Sequence, residues 1–430
     1  MKFRKFCRYP LLLAVALGGA HALPAKVQET VLAGTNTPAN VLTLSAAVDL
    51  ALTNNPSLRV LRAEIAAARG EVTTAKTWAN PEVSASPGFK SARNPSDTMF
   101  HGDFGVEQTF EWPGKRALRR AVAETAVSAR QRALDGFRSQ LAVQVRRAYW
   151  TLLAAREGVA LREQRLTLAR SFVAAAKKRA EGGFAPGFEV TKAEVEAVAA
   201  QKSLREAQAR QDAARVTLNA LLGRPPDEPL AVTGPLPRAV MQPDPVGLLA
   251  KALGSNPAIQ IQAAEVERSG LKLQSVRKSR LPDFKIGPNI EYTRDEQIVG
   301  LGISLPLPLW DKKKGEIATA TAAQEKALAE LENLRREIRR DVTLAAQNLT
   351  AAQESLAFYT PAVRDKLRAA LDAAEAGYAD GRTPLLLYLE AQRTYFDTQA
   401  DYFDALQKVF EARADLESAV GQPLDELSHP

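Results

Sequence analysis

The sequence predicts a mainly α-helical protein with a small β part, in which one helix-strand-strand-helix-helix unit occurs twice. Three observations predict it. The second half of the chain repeats the first, each half holds a long run at helical period with few breakers, and each holds two short runs at period two. "TNNPSLRVLRAEIAAA", from Thr53, matches "GSNPAIQIQAAEVERS", from Gly254, with Asn55-Pro56 against Asn256-Pro257, and Pro81 falls on Pro282 at the same spacing. After a small indel, Trp112 pairs with Trp310, Gly183 with Gly381, Pro186 with Pro384, and Gly223-Arg224-Pro225 with Gly421-Gln422-Pro423. A period of about 200 residues is far longer than a solenoid unit, so this is one tandem duplication of a whole structural half.

The elements follow in order. Lys2, Arg4, Lys5 and Arg8, the apolar run Leu11 to Leu17 and the small-residue pattern Ala20-His21-Ala22 read as a secretory signal peptide over 1–22, followed by an N-terminal extension over 23–42. With those four cations set aside, 53 basic residues face 49 acidic ones, so the formal charge of +8 carries little weight as a nucleic-acid signal. Cys7 is the one cysteine and precedes the apolar run, so neither a disulfide nor a lipid anchor is expected on the mature chain. The first repeat, 43–223, opens with Thr43 or Ser45 as a cap. It continues with a helix from about Ser57 to Trp78, strands over about 82–90 and 103–111, a long helix from about Pro113 to Glu181, and a helix back to Gly223. A Pro-rich linker, 224–244, cannot be a continuous helix. The second repeat, 245–422, starts with Asp244 as cap and Pro245 at the first helical position. Its helix runs from about Pro257 to Arg280, its strands over about 283–292 and 298–307, one long helix from about Lys312 to Ala379, and a last helix back to Gly421, before a tail over 423–430.

At 1.5 Å per residue each long helix reaches roughly 100 Å, too long for a compact domain. Each ends in a glycine turn, "AEGGFAPG" or "YADGRTP", so the long segments are antiparallel hairpins. Ala dominates them, and Tyr149, Trp150, Tyr395 and Phe396 at helical spacing read as a packing stripe.

The strands carry the most information. In "DFKIGPNIEY", Phe284, Ile286, Pro288, Ile290 and Tyr292 alternate with Asp283, Lys285, Gly287, Asn289 and Glu291. In "VGLGISLPL", Val299, Leu301, Ile303, Leu305 and Leu307 alternate with glycine, serine and proline. The first half repeats this less cleanly, with Val83, Ala85, Pro87 and Phe89 on one face of one strand and Phe104, Val106 and Phe110 on one face of the next. Strands of this length with one apolar and one polar or small face suit a tilted crossing of a bilayer. Four strands are too few to close a barrel, and unpaired edges cost several kcal/mol per group in lipid, so a membrane reading requires several chains. Trp112-Pro113 and Pro308-Leu309-Trp310 then mark the change from membrane strand to helix: proline ends the ladder and tryptophan suits the interface. "EQTFEWPGKRALRR" resembles the end of a phosphate-binding loop at Gly114-Lys115, but Arg116 stands in place of Ser or Thr and Thr109 in place of the first Gly. Its basic cluster is open to two readings, an anionic-headgroup contact or a solvated face.

The duplicated half, the "NP" before a helix, the strand pair, "EQTFEWPGKRALRR" and the "LLGRP" closure resemble the TolC family of outer-membrane efflux proteins over about residues 40 to 425. "NPE" and "GKR" are most similar to the branch that serves tripartite heavy-metal pumps of the resistance-nodulation-division type. The resemblance implies a homotrimer in outer-membrane lipid, with a shared 12-stranded barrel continued by a periplasmic α-barrel of helical hairpins. It also implies a periplasmic adaptor, an inner-membrane pump, and passive conduction gated at the hairpin tips. By position the gate and adaptor-contact tips are Glu181, Gly182, Gly183 and Phe184, with Asp380, Gly381, Arg382 and Thr383; there an Asp380 ring would attract cations and Arg382 would bridge to a neighbour. The membrane-interface junctions are Trp112, Pro113, Pro308 and Trp310.

No catalytic residue, cofactor or nucleic-acid partner is expected: the chain lacks HExxH, GxSxG and GxGxxG motifs. After the signal only His101 and His429 remain as imidazoles, and Met99-Phe100-His101 reads as a connection between strands, so no metal site is expected either. Two alternatives stand beside the heavy-metal duct: a multidrug or type I secretion duct, and a soluble periplasmic coiled-coil adaptor.

Overall fold

A computed structural model of the chain describes residues 41–90, 99–183, 186–234, 244–293 and 296–424. The expected signal peptide, the extension as far as residue 40, Phe184, most of the linker beyond 234 and the tail from 425 lie outside the described residues.

The first half runs β1 (Val41–Leu42), α1 (Leu44–Asn54), α2 (Pro56–Lys76), β2 (Glu82–Lys90), β3 (Met99–Phe110), α3 (Lys115–Glu181) and α4 (Gly187–Leu222). The second runs β4 (Ala231–Val232), α5 (Pro245–Ser255), α6 (Pro257–Lys278), β5 (Phe284–Thr293), β6 (Gln297–Ser304), α7 (Lys314–Ala357), α8 (Pro361–Ala379) and α9 (Leu385–Val420). The chain is mainly helical with a small sheet. Thr43 caps α1 through its hydroxyl, which accepts from the Ala46 amide at 3.3 Å, and Ser45 lies inside the helix.

The Asn-Pro motifs are joints. Asn55 ends α1 and caps α2: its side-chain oxygen accepts from the Ser57 amide at 2.9 Å, while its amide nitrogen donates to the Leu221 carbonyl at 3.0 Å. Asn256 repeats this with Ala258 at 2.9 Å and Ala419 at 3.1 Å. Each buried Asn thus satisfies an orphan amide of one helix and an orphan carbonyl of another. Gly223 and Gly421, with φ of 69° and 82°, end α4 and α9 against these joints; a Cβ on Gly223 would lie 2.9 Å from the Asn54 carbonyl oxygen. The "NP" and "LLGRP" signatures are therefore two sides of one contact.

Leu58, Leu141, Val145, Leu218 and Leu222 form a core around the first joint, and Ile259, Val342, Leu349, Leu416 and Val420 around the second. Tyr149 of α3 lies in reach of the Leu42 and Thr233 carbonyls and so holds the parallel pair β1–β4 against the first core. Burial raises its phenol pKa. Ala176, Ala193 and Ala200 are fully buried, in keeping with close approach of α3 and α4.

Two expectations need correction. The stretch from Lys312 to Ala379 is not one helix. Thr360 accepts from the Val363 amide at 3.3 Å and Pro361 occupies the first helical position, so α8 starts afresh where the proline ring would clash with a continuing turn. In the first half α3 continues unbroken for 67 residues, about 100 Å. Met99-Phe100-His101 is not a connection but the first part of β3, paired with β2 throughout and, at His101, with β5 as well.

One antiparallel sheet has the order β2-β3-β5-β6, with β2 and β6 at its edges. In register, Val83, Phe104, Ile290 and Val299 share one face with Ala85, Phe89, Phe100, Leu301 and Ile303. Glu82, Glu107, Asp103, Glu291 and Lys285 share the other. Gly287 lies so close to β3 that a Cβ there would run into the Val106 carbonyl. β6 stops at Ser304, before Pro306 and Pro308, so Pro308-Leu309-Trp310 belongs to the connection 305–313. No helix among the described residues is long and apolar enough to cross a membrane.

Replacing Asn256 with Ala removes both halves of its joint and is expected to cost about 1–3 kcal/mol. Asn256→Asp keeps the cap and loses the donated bond, so its loss falls between. Thermal unfolding of the purified protein followed by circular dichroism should rank the three chains in that order.

Candidate functional site

The hairpin tips lie at the far ends of α3–α4 and α8–α9. Glu181, Gly182 and Gly183 are exposed, and Gly183 takes φ of 73° to turn the chain toward Pro186 and α4. In the second tip Asp380 caps α8, Gly381 takes φ of 75°, and the Arg382 and Thr383 amides both donate to the Gly377 carbonyl at 2.8 and 2.9 Å. Arg382 pairs with Asp380 inside its own turn, and both are exposed, so the pair contributes little to stability.

Behind these turns is a group that sequence reasoning missed. Tyr378 donates its hydroxyl to Glu189 of α4 at 3.0 Å, and Arg179 of α3 stands 4.6 Å over the Tyr378 ring while donating to the Tyr378 carbonyl. Tyr378 stacks on Tyr388 at 5.3 Å, and Phe172 closes on both rings. With Leu161, Ala193 and Leu371 these form a core shared by the two hairpins. Burial, then the Glu189 hydrogen bond, pushes the Tyr378 phenol up to about 12, and burial raises Tyr388 as well. Tyr378 therefore stays a hydrogen-bond donor at every physiological pH. Its place one residue before "ADG" was visible, but Glu189 is 189 positions away and no local signal pairs them.

At the other end of α3, the basic cluster has protein partners. Asp283 accepts from the Trp112 amide at 2.9 Å and from Lys115 Nζ at 2.7 Å. Arg116 lies 4.0 Å over the Trp78 ring. Arg119 donates to the Ala75 and Thr77 carbonyls at 3.2 and 3.1 Å, closing the C-terminus of α2, and pairs with Glu111. Pro113 and Gly114 make the turn, with Gly114 at φ 89°. In the second half Lys313 makes the left-handed turn at φ 57°, held by the Asp311 carboxylate on its amide at 2.8 Å. Trp310 is 91% exposed, and Leu305, Leu307 and Leu309 beside it are exposed as well. Together with the bare apolar face of the sheet they form an apolar surface of the kind that meets lipid.

A sheet with a lipid-type face, joined through proline and tryptophan to helices about 100 Å long, defines a membrane-seated duct component rather than an enzyme. Residues 47–224 and 248–422 match the family described as outer membrane efflux protein, and the chain belongs to that family. It is an efflux channel component of the outer membrane with a periplasmic portion. It is 28% identical over 388 residues to the cobalt-zinc-cadmium resistance protein CzcC of Cupriavidus metallidurans, covering 89% of this chain and 91% of that protein. It is 29% identical over 297 residues to the nickel and cobalt resistance protein CnrC of the same organism, covering 66% and 67%. Its fold is that of the Campylobacter jejuni CmeC outer membrane channel, with a TM-score of 0.76 at 14% identity over 90% of this chain and 87% of that one.

The raised Tyr378 phenol has a defined consequence. The folded state favours the neutral form, so its contribution is complete below the unfolded-chain value of about 10 and is lost as pH rises toward about 12. Phenolate absorbance of the parent minus that of Tyr378→Phe should show one late-ionising tyrosine above pH 11. A midpoint near 10 would mean that Tyr378 is neither buried nor bonded to Glu189 in solution.

Proposed function

We propose that three copies of this chain close a 12-stranded barrel in outer-membrane lipid. Their hairpins continue it as a periplasmic α-barrel that conducts heavy-metal cations passively outward. The observation that carries the reading is the sheet: among the described residues one face is apolar and bare and both edge strands are unpaired on their outer side, which in lipid requires neighbours. The metal cargo rests on similarity to CzcC and CnrC, which are resistance proteins for cobalt, zinc and cadmium and for nickel and cobalt. The acidic face of the sheet supports it, because Glu82, Glu107, Asp103 and Glu291 outnumber Lys285 and Lys90 and favour cations in a lumen. A periplasmic adaptor joins the duct to an inner-membrane pump of the resistance-nodulation-division type, which supplies energy and selects the cargo.

In the resting state the tips are closed. Arg179, Tyr378 and Glu189 tie the two hairpins of one chain together, and docking of adaptor and pump at Glu181–Phe184 and Asp380–Thr383 pulls them apart. Asp380 presents negative charge at the entrance and Arg382 offsets it locally until the turns move.

A clean deletion strain, with and without plasmid complementation, tests the cargo on cobalt, zinc, cadmium, nickel, copper and silver against a panel of hydrophobic drugs. Sensitivity confined to metals is the expected result, and sensitivity to drugs alone moves the protein to a multidrug duct. In planar bilayers Tyr378→Phe should raise resting conductance several-fold, because one charge-assisted hydrogen bond of about 1.5–3 kcal/mol is lost. Neutralising Asp380 and Arg382 together should raise it further. Unchanged conductance in folded trimers removes these residues from the gate.

A further inference from the structure

The polar face of the sheet holds a side-chain group of which the duct reading uses the charge and not the geometry. Asp103 of β3 and Glu291 of β5 are direct cross-strand partners, and His101 lies two residues along β3 on the same face. Like charges directly opposite each other destabilise a strand pair. Lys285 on this face is engaged with Glu82 and Glu107, and among the described residues His101 is the one ion-pair partner of either carboxylate. The imidazole sits between them, with Nε2 3.4 Å from Asp103 and Nδ1 3.7 Å from Glu291. Its Nδ1 is shut off from solvent and has no hydrogen-bond partner among the described residues. One atom from each of the three side chains lies within 4.8 Å of the others.

The geometry points to a divalent-cation site formed by one nitrogen of His101 and one oxygen each of Asp103 and Glu291. A cation at about 2.0–2.2 Å from each ligand spans ligand separations up to about 4.4 Å, so small side-chain rotations close the set. It answers both anomalies at once, because the ion neutralises the facing carboxylates and supplies the partner the imidazole lacks. One imidazole with two carboxylates suits borderline ions such as Zn2+, Co2+ and Ni2+ better than Cu+, which prefers sulfur, or Mg2+, which prefers oxygen alone. With three protein ligands the coordination shell stays open to water, so binding is weak and exchanging. That is what a conducting wall requires, since an ion must enter a site and also leave it. The site itself does not depend on the proposed trimer; its position in the lumen and its role for the cargo rest on that reading.

The test uses the full chain purified in detergent without a polyhistidine tag, stripped with chelator and titrated with Co2+, whose visible absorption reports its ligands. The expected result is one Co2+ per chain, displaced by Zn2+. Affinity should fall at least about tenfold in Glu291→Gln, which keeps shape and removes charge, and in His101→Asn. Glu332→Gln on α7, away from the sheet, and His429→Ala should bind as the parent does. Parent-like binding in both Glu291→Gln and His101→Asn overturns the proposal, as does binding lost in His429→Ala. Because binding is read on purified protein, a deletion strain without a metal phenotype bears on the cargo and leaves this result standing.

Discussion

A β-strand at the edge of a sheet presents unpaired amide and carbonyl groups, and in a bilayer no water is present to satisfy them. The rest of the architecture depends on that constraint. This sheet has four strands with β2 and β6 at its edges, and among the described residues nothing covers its apolar face. In the proposed trimer each β6 finds a β2 and the face finds lipid, so assembly and membrane insertion are one event. The short turns and prolines around the sheet serve the same end. Pro306 and Pro308 end β6, and Pro113 with Gly114 turns β3 into α3.

The joints between sheet and helices are built from charge and aromatic contacts rather than a large apolar core. Asp283 gathers Trp112 and Lys115, and Arg116 and Arg119 fasten α3 to the end of α2. The apolar cores lie further along, around Asn55 and Asn256, and the third lies near the tips. Packing around the Asn joints is thus separate from the tips, which are held by the polar contacts of Tyr378 and by its stacking with Tyr388 and Phe172. In the proposed gating these tip contacts are lost and the Asn joints stay intact.

Much of the fold was legible in the sequence because its signals are local and written twice. The alternation of "DFKIGPNIEY" located β5, and Gly183 and Gly381 located the tips. What was missed needed a third dimension. Gly102 and Asp103, which follow His101, weaken the β pattern there, yet β3 starts at Met99. The helix break at Pro361 was visible as a residue, but a long alanine-rich run outweighed it. The "GKR" cluster gave charge without partners, and those partners, Trp78 and Asp283, lie in the connections that lead into β2 and β5. The same is true of Tyr378 with Glu189.

The central claim is that the four-stranded sheet is a wall between lipid and water. Single cysteines placed along β6, at Val299, Gly300, Leu301, Gly302 and Ile303, test it most directly in intact outer membranes, through labelling by a water-soluble thiol reagent and by a lipid-soluble one. The account predicts strict alternation, with positions 300 and 302 labelled from water and positions 299, 301 and 303 from lipid. Uniform labelling from water along the strand would contradict it.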